Sequence, residues 1–146
     1  MARLDDNYIQ QPTDAEGYIV AARGMLDGAL PLKDVEPIPV FALTLLCGHA
    51  TEAALKAMLA QVGVPTSELS GHTLGHKLLR LWERAETERV SLPSPRPPWV
   101  EHLDRVYASP HHLRYPLGFH AIVLPNQLDM LNGTKNLVEI ATAMAA

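Results

Sequence analysis

Apolar residues recur with a helical period along most of this chain. After Pro12-Thr13-Asp14-Ala15-Glu16, the positions Tyr18, Ile19, Ala22, Met25, Leu26, Ala29 and Leu30 fall on one face of a helix. Thr13 can accept from the Glu16 backbone while the Glu16 carboxylate reaches back to Thr13, a capping box that marks the start. Pro31 ends the run. Over residues 40–62 the apolar positions surround the helix at first (Phe41, Leu43, Leu45, Leu46) and then narrow to Ala50, Ala53, Ala54, Leu55, Met58, Leu59 and Val62. Such a helix is central in its bundle. Gly63 supplies a left-handed cap, and Pro65 forbids continuation.

The spacing predicts a third helix that opens directly after Ser70-Gly71, carries Leu74, Leu78, Leu81, Trp82 and Ala85 inward, and fades near Val90. Residues 91–98 hold Pro93, Pro95, Pro97 and Pro98 and read as a stiff, extended connector. A short helix over 99–107 follows, with Pro98 near its first position. Residues 109–124 have no period, and Pro110, Pro116 and Gly118 mark them as an irregular loop. Pro125 opens a last helix whose apolar side holds Leu128, Leu131, Leu137, Val138, Ile140, Ala141 and Met144, with Asn132-Gly133 weakening its middle. Residues 1–11 read as a flexible N-terminus. The expectation is an all-α, single-domain bundle of four to five helices spanning 1–146.

Composition narrows this picture. A chain of 146 residues buries a real core without staples, since a domain of this size hides about two-thirds of its unfolded surface. The single cysteine, Cys47, excludes an internal disulfide framework and reads as a small buried hydrophobe. The longest apolar run, residues 38–50, is broken by Pro39, Thr44 and Gly48 and is far shorter than the roughly 20 residues that cross a bilayer. Residues 1–7 lack the basic start and apolar centre of a secretion signal, which leads us to expect a cytoplasmic chain. The formal charge of −4 gives no broad basic field, so DNA is not predicted as a partner; five of the seven histidines fall between 76 and 120 and leave only a local Arg/His patch.

Candidate chemistry is sparse. Glu52 and Lys56 lie four apart in the favourable order for an ion pair. On so apolar a helix they could be buried, and a buried carboxylate needs a partner. His72 or Arg114 could serve, in a polar network lining a pocket. His72 and His76 have a spacing that can grip a metal, with His49, Glu52 or Cys47 as a third ligand, but no Cys pair, His-Glu-x-x-His or Asp cluster supports one. No metal and no cofactor is predicted. Lys77, Arg80 and Arg84 form a basic stripe offset by Glu83 and Glu86, the pattern of a solvated face. Phosphate loops, dinucleotide fingerprints and nucleophile elbows are all lacking.

The run Leu46-Cys47-Gly48-His49-Ala50-Thr51-Glu52-Ala53-Ala54-Leu55-Lys56, then Gly63, then Gly71-His72-Thr73-Leu74, and later Arg114-Tyr115-Pro116, resembles the HEPN superfamily of helical domains found in prokaryotic defence and toxin–antitoxin systems. The resemblance touches residues from about 12 to 140. It implies a helical bundle, a homodimer, and either a binding or regulatory module engaging RNA or a partner protein, or a metal-independent endoribonuclease. Nucleases of that superfamily carry an Arg, four to six residues, then a His. Arg114 and His120 fit by count and would be the catalytic pair, the arginine fork steadying phosphate charge while the histidine moves a proton. Here Tyr115-Pro116 follows the arginine, and Pro116 with Gly118 disfavours the single helix that the nuclease motif rides on. Tyr115 joins Glu52, Lys56 and His72 as a candidate of the polar network.

Overall fold

A computed structural model describes residues 13–108 and 123–146. Arg114, Tyr115 and His120, the N-terminal stretch and most of the 109–124 segment lie outside the described residues. Six α-helices follow in order: α1 (Asp14–Ala29), α2 (Val40–Gln61), α3 (Thr66–Leu69), α4 (Leu78–Thr87), α5 (Pro98–Tyr107) and α6 (Gln127–Met144). Among the described residues there is no strand, and no helix is long and apolar enough to cross a membrane. The chain is an all-α, single-domain bundle; the sixth helix beyond the expected four to five is the single turn α3.

The expected caps are in place. Thr13 Oγ1 accepts from Glu16 N and Glu16 Oε2 accepts from Thr13 N, each at 3.2 Å. Gly63 closes α2 with φ +97°, while Val64 N donates to Leu59 O and Gly63 N to Ala60 O. These two bonds satisfy carbonyls that the last turn orphans. Arg89, at φ +62°, closes α4 with the same pair of bonds, from Val90 N to Ala85 O and from Arg89 N to Glu86 O.

The third helix begins later than its apolar spacing predicts. After α3 the chain turns through residues 70–76, and α4 starts only at Leu78. Gly75 is the reason. Its φ of +37° lies outside the helical range, so the phrase 71–77 forms a turn and cannot run on as helix.

α2 is the axis of the bundle. Its positions from Leu43 to Leu59 are buried almost all round, and it packs most extensively on α1, then α6, with smaller seams against α4 and α5. The α2–α6 seam is partly polar: Thr51 and Thr134 share a buried hydroxyl bond of 3.2 Å, and Gln127 Nε2 donates to Thr44 Oγ1 at 3.1 Å. Cys47 lies on the same seam, its thiol pushed up to about 11 by burial despite a hydrogen bond from the Thr134 side chain. It is inert at neutral pH.

Two helix-interior glycines fix the place of α5. A Cβ on Gly48 would lie 2.3 Å from Cδ1 of Tyr107, and one on Gly133 would lie 2.3 Å from Nε1 of Trp99. Both aromatic rings belong to α5, one at each end, so α5 is seated by ring-on-backbone contacts with α2 and α6. Gly133 does not break α6, which runs through it without interruption. The helix propensity lost there makes room for an indole.

Candidate functional site

Gly48, His49 and Glu52 occupy one stretch of α2, and Gly48 and Glu52 are one turn apart on the same face. The slot at Gly48 admits the Tyr107 ring, whose hydroxyl then reaches along the helix to Glu52. Tyr107 Oη donates to Glu52 Oε1 at 2.8 Å and lies 2.9 Å from His49 Nδ1. From the turn before α4, His76 Nδ1 lies 2.7 Å from the same Oε1, and Lys56 Nζ donates to Oε2 at 3.1 Å. One carboxylate therefore gathers side chains from α2, α5 and the 70–77 turn.

The proton positions follow from the inventory of donors. An ionised carboxylate only accepts, so His76 Nδ1 carries a hydrogen. The single Tyr107 proton goes to Glu52, so the phenol oxygen accepts from His49 Nδ1–H. Both imidazoles thus hold their protons on Nδ1, and in the neutral tautomer Nε2 is the basic position of each ring.

Burial pushes the Glu52 carboxyl up, but the hydrogen bond from His76, the Lys56 charge and the Tyr107 hydroxyl outweigh it and hold the group below its ordinary 4.5. The Tyr18 phenol on α1 is driven the other way, raised by burial and by the Asp14 and Glu52 charges. A carboxyl lowered in the folded state contributes stability that is present above its unfolded pKa and lost as pH falls through the folded value. Thermal melts should therefore fall off below about pH 4.5 more steeply for the native chain than for Glu52→Gln. Asp104 shifts oppositely, pushed up by burial against backbone N–H bonds from Leu79 and Leu78, and is common to both proteins. The difference between the two curves isolates Glu52.

Beside His76 opens a cleft of about 220 Å³ lined by Ser70, Gly71, His72, Gly75, His76, Lys77 and Ala108. Among the described residues its side chains include two imidazoles and an ammonium, and none is acidic. The His76 side chain is 52% exposed here, whereas Glu52 behind it is 14% exposed. Lys77 Nζ donates to the His72 carbonyl at 2.6 Å, tying the ends of the turn together.

Of the residues singled out by sequence, Glu52 and Lys56 stand side by side at the centre. His72 does not meet Glu52: Gly75 turns the chain so that His76 arrives there, and His72 lines the cleft. Arg114, Tyr115 and His120 lie outside the described residues. His49, His76 and Tyr107 were missed as members of the network. The available signal was Gly48, a helix-interior glycine one turn before a carboxylate. The basic stripe divides: Arg84 pairs with Glu68 and Glu88 at 3.0 and 2.9 Å, and Arg80 approaches Glu83 at 3.7 Å. It is a solvated, charge-balanced face. No three His, Cys, Asp or Glu side chains among the described residues are grouped to hold a metal ion.

Comparison with protein-family models, curated proteins and solved structures returned no match. The fold and site define a helical bundle with a part-buried carboxylate hub and, at its edge, a cleft lined by two histidines and a lysine.

Proposed function

We propose that this chain is a HEPN-like binding module that engages single-stranded RNA, with a backbone phosphate seated in the cleft of His72, His76 and Lys77. The observation that carries this reading is a half-exposed imidazole, anchored from behind by the largely covered Glu52, in a cleft where the described residues offer the Lys77 ammonium, two imidazoles and no acid. Glycine backbones at 71 and 75 let a phosphate approach closely. With a net charge of −4 the protein has no long-range attraction for RNA, so binding must come from this local site. The helical bundle and the Glu52-x-x-x-Lys56 pair support the family reading, and a cytoplasmic role in prokaryotic defence or toxin–antitoxin regulation follows from that reading alone. A second copy would cover Val35, Val40 and Phe41, which stand exposed around the α1–α2 connection and give a homodimer its apolar contact.

The test is fluorescence anisotropy of a labelled single-stranded RNA. His76→Ala and Lys77→Ala should each weaken binding by about tenfold, and Lys77→Ala should lower the slope of log K against log salt by about one. Wild-type binding that neither variant changes, or no binding at all, would reject the proposal.

A second reading, metal-independent RNA cleavage, draws on one observation: His76 Nδ1–H is fixed by a carboxylate, an arrangement that orients an imidazole for proton transfer. The resemblance assigns this work to Arg114 and His120. Cleavage in EDTA that is lost in His76→Ala, Arg114→Ala and His120→Ala alike would favour it.

A further inference from the structure

A larger cleft of about 560 Å³ lies at the opposite end of α5, lined by Pro97, Pro98, Trp99 and His102 on one side, by Asn126, Asp129 and Asn132 on the other, and by Val123 and Leu124 at its edge. Its volume falls in the range of small-ligand pockets, roughly 300–1,000 Å³. Its walls differ in chemistry. The first turn of α5 and its proline lead-in present the Pro97 and Pro98 rings and the exposed His102 imidazole, while the Trp99 indole, seated on Gly133, is only 6% exposed. The start of α6 presents an amide, a carboxylate and an amide at three-residue intervals along one face. Asn126 Oδ1 already accepts from Asp129 N at 3.0 Å, so its amide hydrogens are what it offers the cleft. Among the described residues the Asp129 carboxylate has neither an ion pair nor a side-chain hydrogen bond.

We infer that this cleft receives an unstacked guanine of the single strand whose phosphate sits in the His76 cleft, an inference that rests on the RNA reading above. Proline rings and an exposed imidazole, His102, suit the face of a base. An acceptor-only carboxylate selects the edge: guanine alone offers two adjacent donors, N1–H and N2–H, to its two oxygens. Adenine places ring-nitrogen acceptors beside its amine, uracil offers a single N–H, and cytosine a single amine. The negative charge of Asp129 also turns away a phosphate, so a base and not the backbone enters. Ala108, at the end of α5, lines the first cleft and Pro98, at its start, lines this one. A helix of 10 residues separates the two sites by about 15 Å, a span that a few nucleotides cover.

The test compares short oligouridylates carrying a single guanine or a single adenine, by anisotropy, with guanosine monophosphate alone followed by calorimetry. The wild-type protein should prefer the guanine strand by about tenfold. Asp129→Asn, at an exposed position and checked for folding by circular dichroism, should abolish that preference while leaving plain oligouridylate binding unchanged. His76→Ala should weaken both strands and preserve their ratio. Equal affinity for the two strands, or a preference that survives Asp129→Asn, would overturn the guanine site and leave the phosphate cleft standing. Asp129-dependent binding of guanosine monophosphate without any His76-dependent RNA binding would do the reverse. Benzamidine bound in the same cleft as tightly as the nucleotide would overturn the base assignment in favour of a small planar cation.

Discussion

Glu52→Ala is expected to lower the unfolding free energy by about 3–5 kcal/mol, the range observed when one partner of a buried ion pair is removed. Lys56 sets the size of the effect. Its side chain is only 8% exposed and its ammonium donates to Glu52 Oε2 at 3.1 Å, so alanine at 52 leaves a charge largely out of water without a counter-charge. The same change strips an acceptor from Tyr107 and from His76. A surface pair at this spacing would be worth only about 0.3–0.5 kcal/mol, so the size of the loss reports burial. The double variant Glu52→Ala with Lys56→Met should recover most of the stability, because the methionine fills the volume without a charge. Urea unfolding of the four proteins of this cycle measures the coupling directly. Additive losses would show that the pair is solvated.

Gly48→Ala should destabilise the protein by about 2 kcal/mol, although alanine is the better helix former by roughly 1 kcal/mol. The two effects oppose each other, and the contact decides. A Cβ at 48 falls 2.3, 2.7 and 2.9 Å from three atoms of the Tyr107 ring, closer than such atoms ever stand. The ring must move, and with it the hydroxyl that bonds Glu52 and His49. An exposed glycine shows the contrast: a Cβ on Gly24 would meet nothing within 4 Å, and Gly24→Ala should stabilise by the propensity difference. A lowered melting temperature for Gly48→Ala beside a raised one for Gly24→Ala is the expected pattern in thermal melts.

Helix type and order were legible because they rest on local periodicity and caps. The Thr13–Glu16 box, the Gly63 cap and the all-round apolar run of α2 each act within a few residues. The late start of α4 was hidden, since Leu74 and Leu78 keep a helical spacing while Gly75 takes a conformation that spacing does not register. The site was legible in part. Glu52 and Lys56 are neighbours on one helix, so their pairing follows from the sequence. Their joining with His49, His76 and Tyr107 depends on where α5 and the 70–77 turn come to rest against α2, separations of 24 and 55 residues that no period encodes. The two glycines under Tyr107 and Trp99 read as helix weaknesses until the rings that occupy them are seen.

The central claim is that Glu52 holds His76 beside a cleft made for a phosphate, and imidazole resonances test it most directly. Protein labelled with nitrogen-15 at histidine, titrated with a short single-stranded RNA, should show His76 carrying its proton on Nδ1 throughout, with His72 and His76 shifting together on binding while His102 is unmoved by plain oligouridylate. Glu52→Gln should weaken both the Nδ1 signature and the RNA-induced shift. RNA binding that leaves His72 and His76 unshifted, or a His76 ring protonated on Nε2 alone, would contradict it.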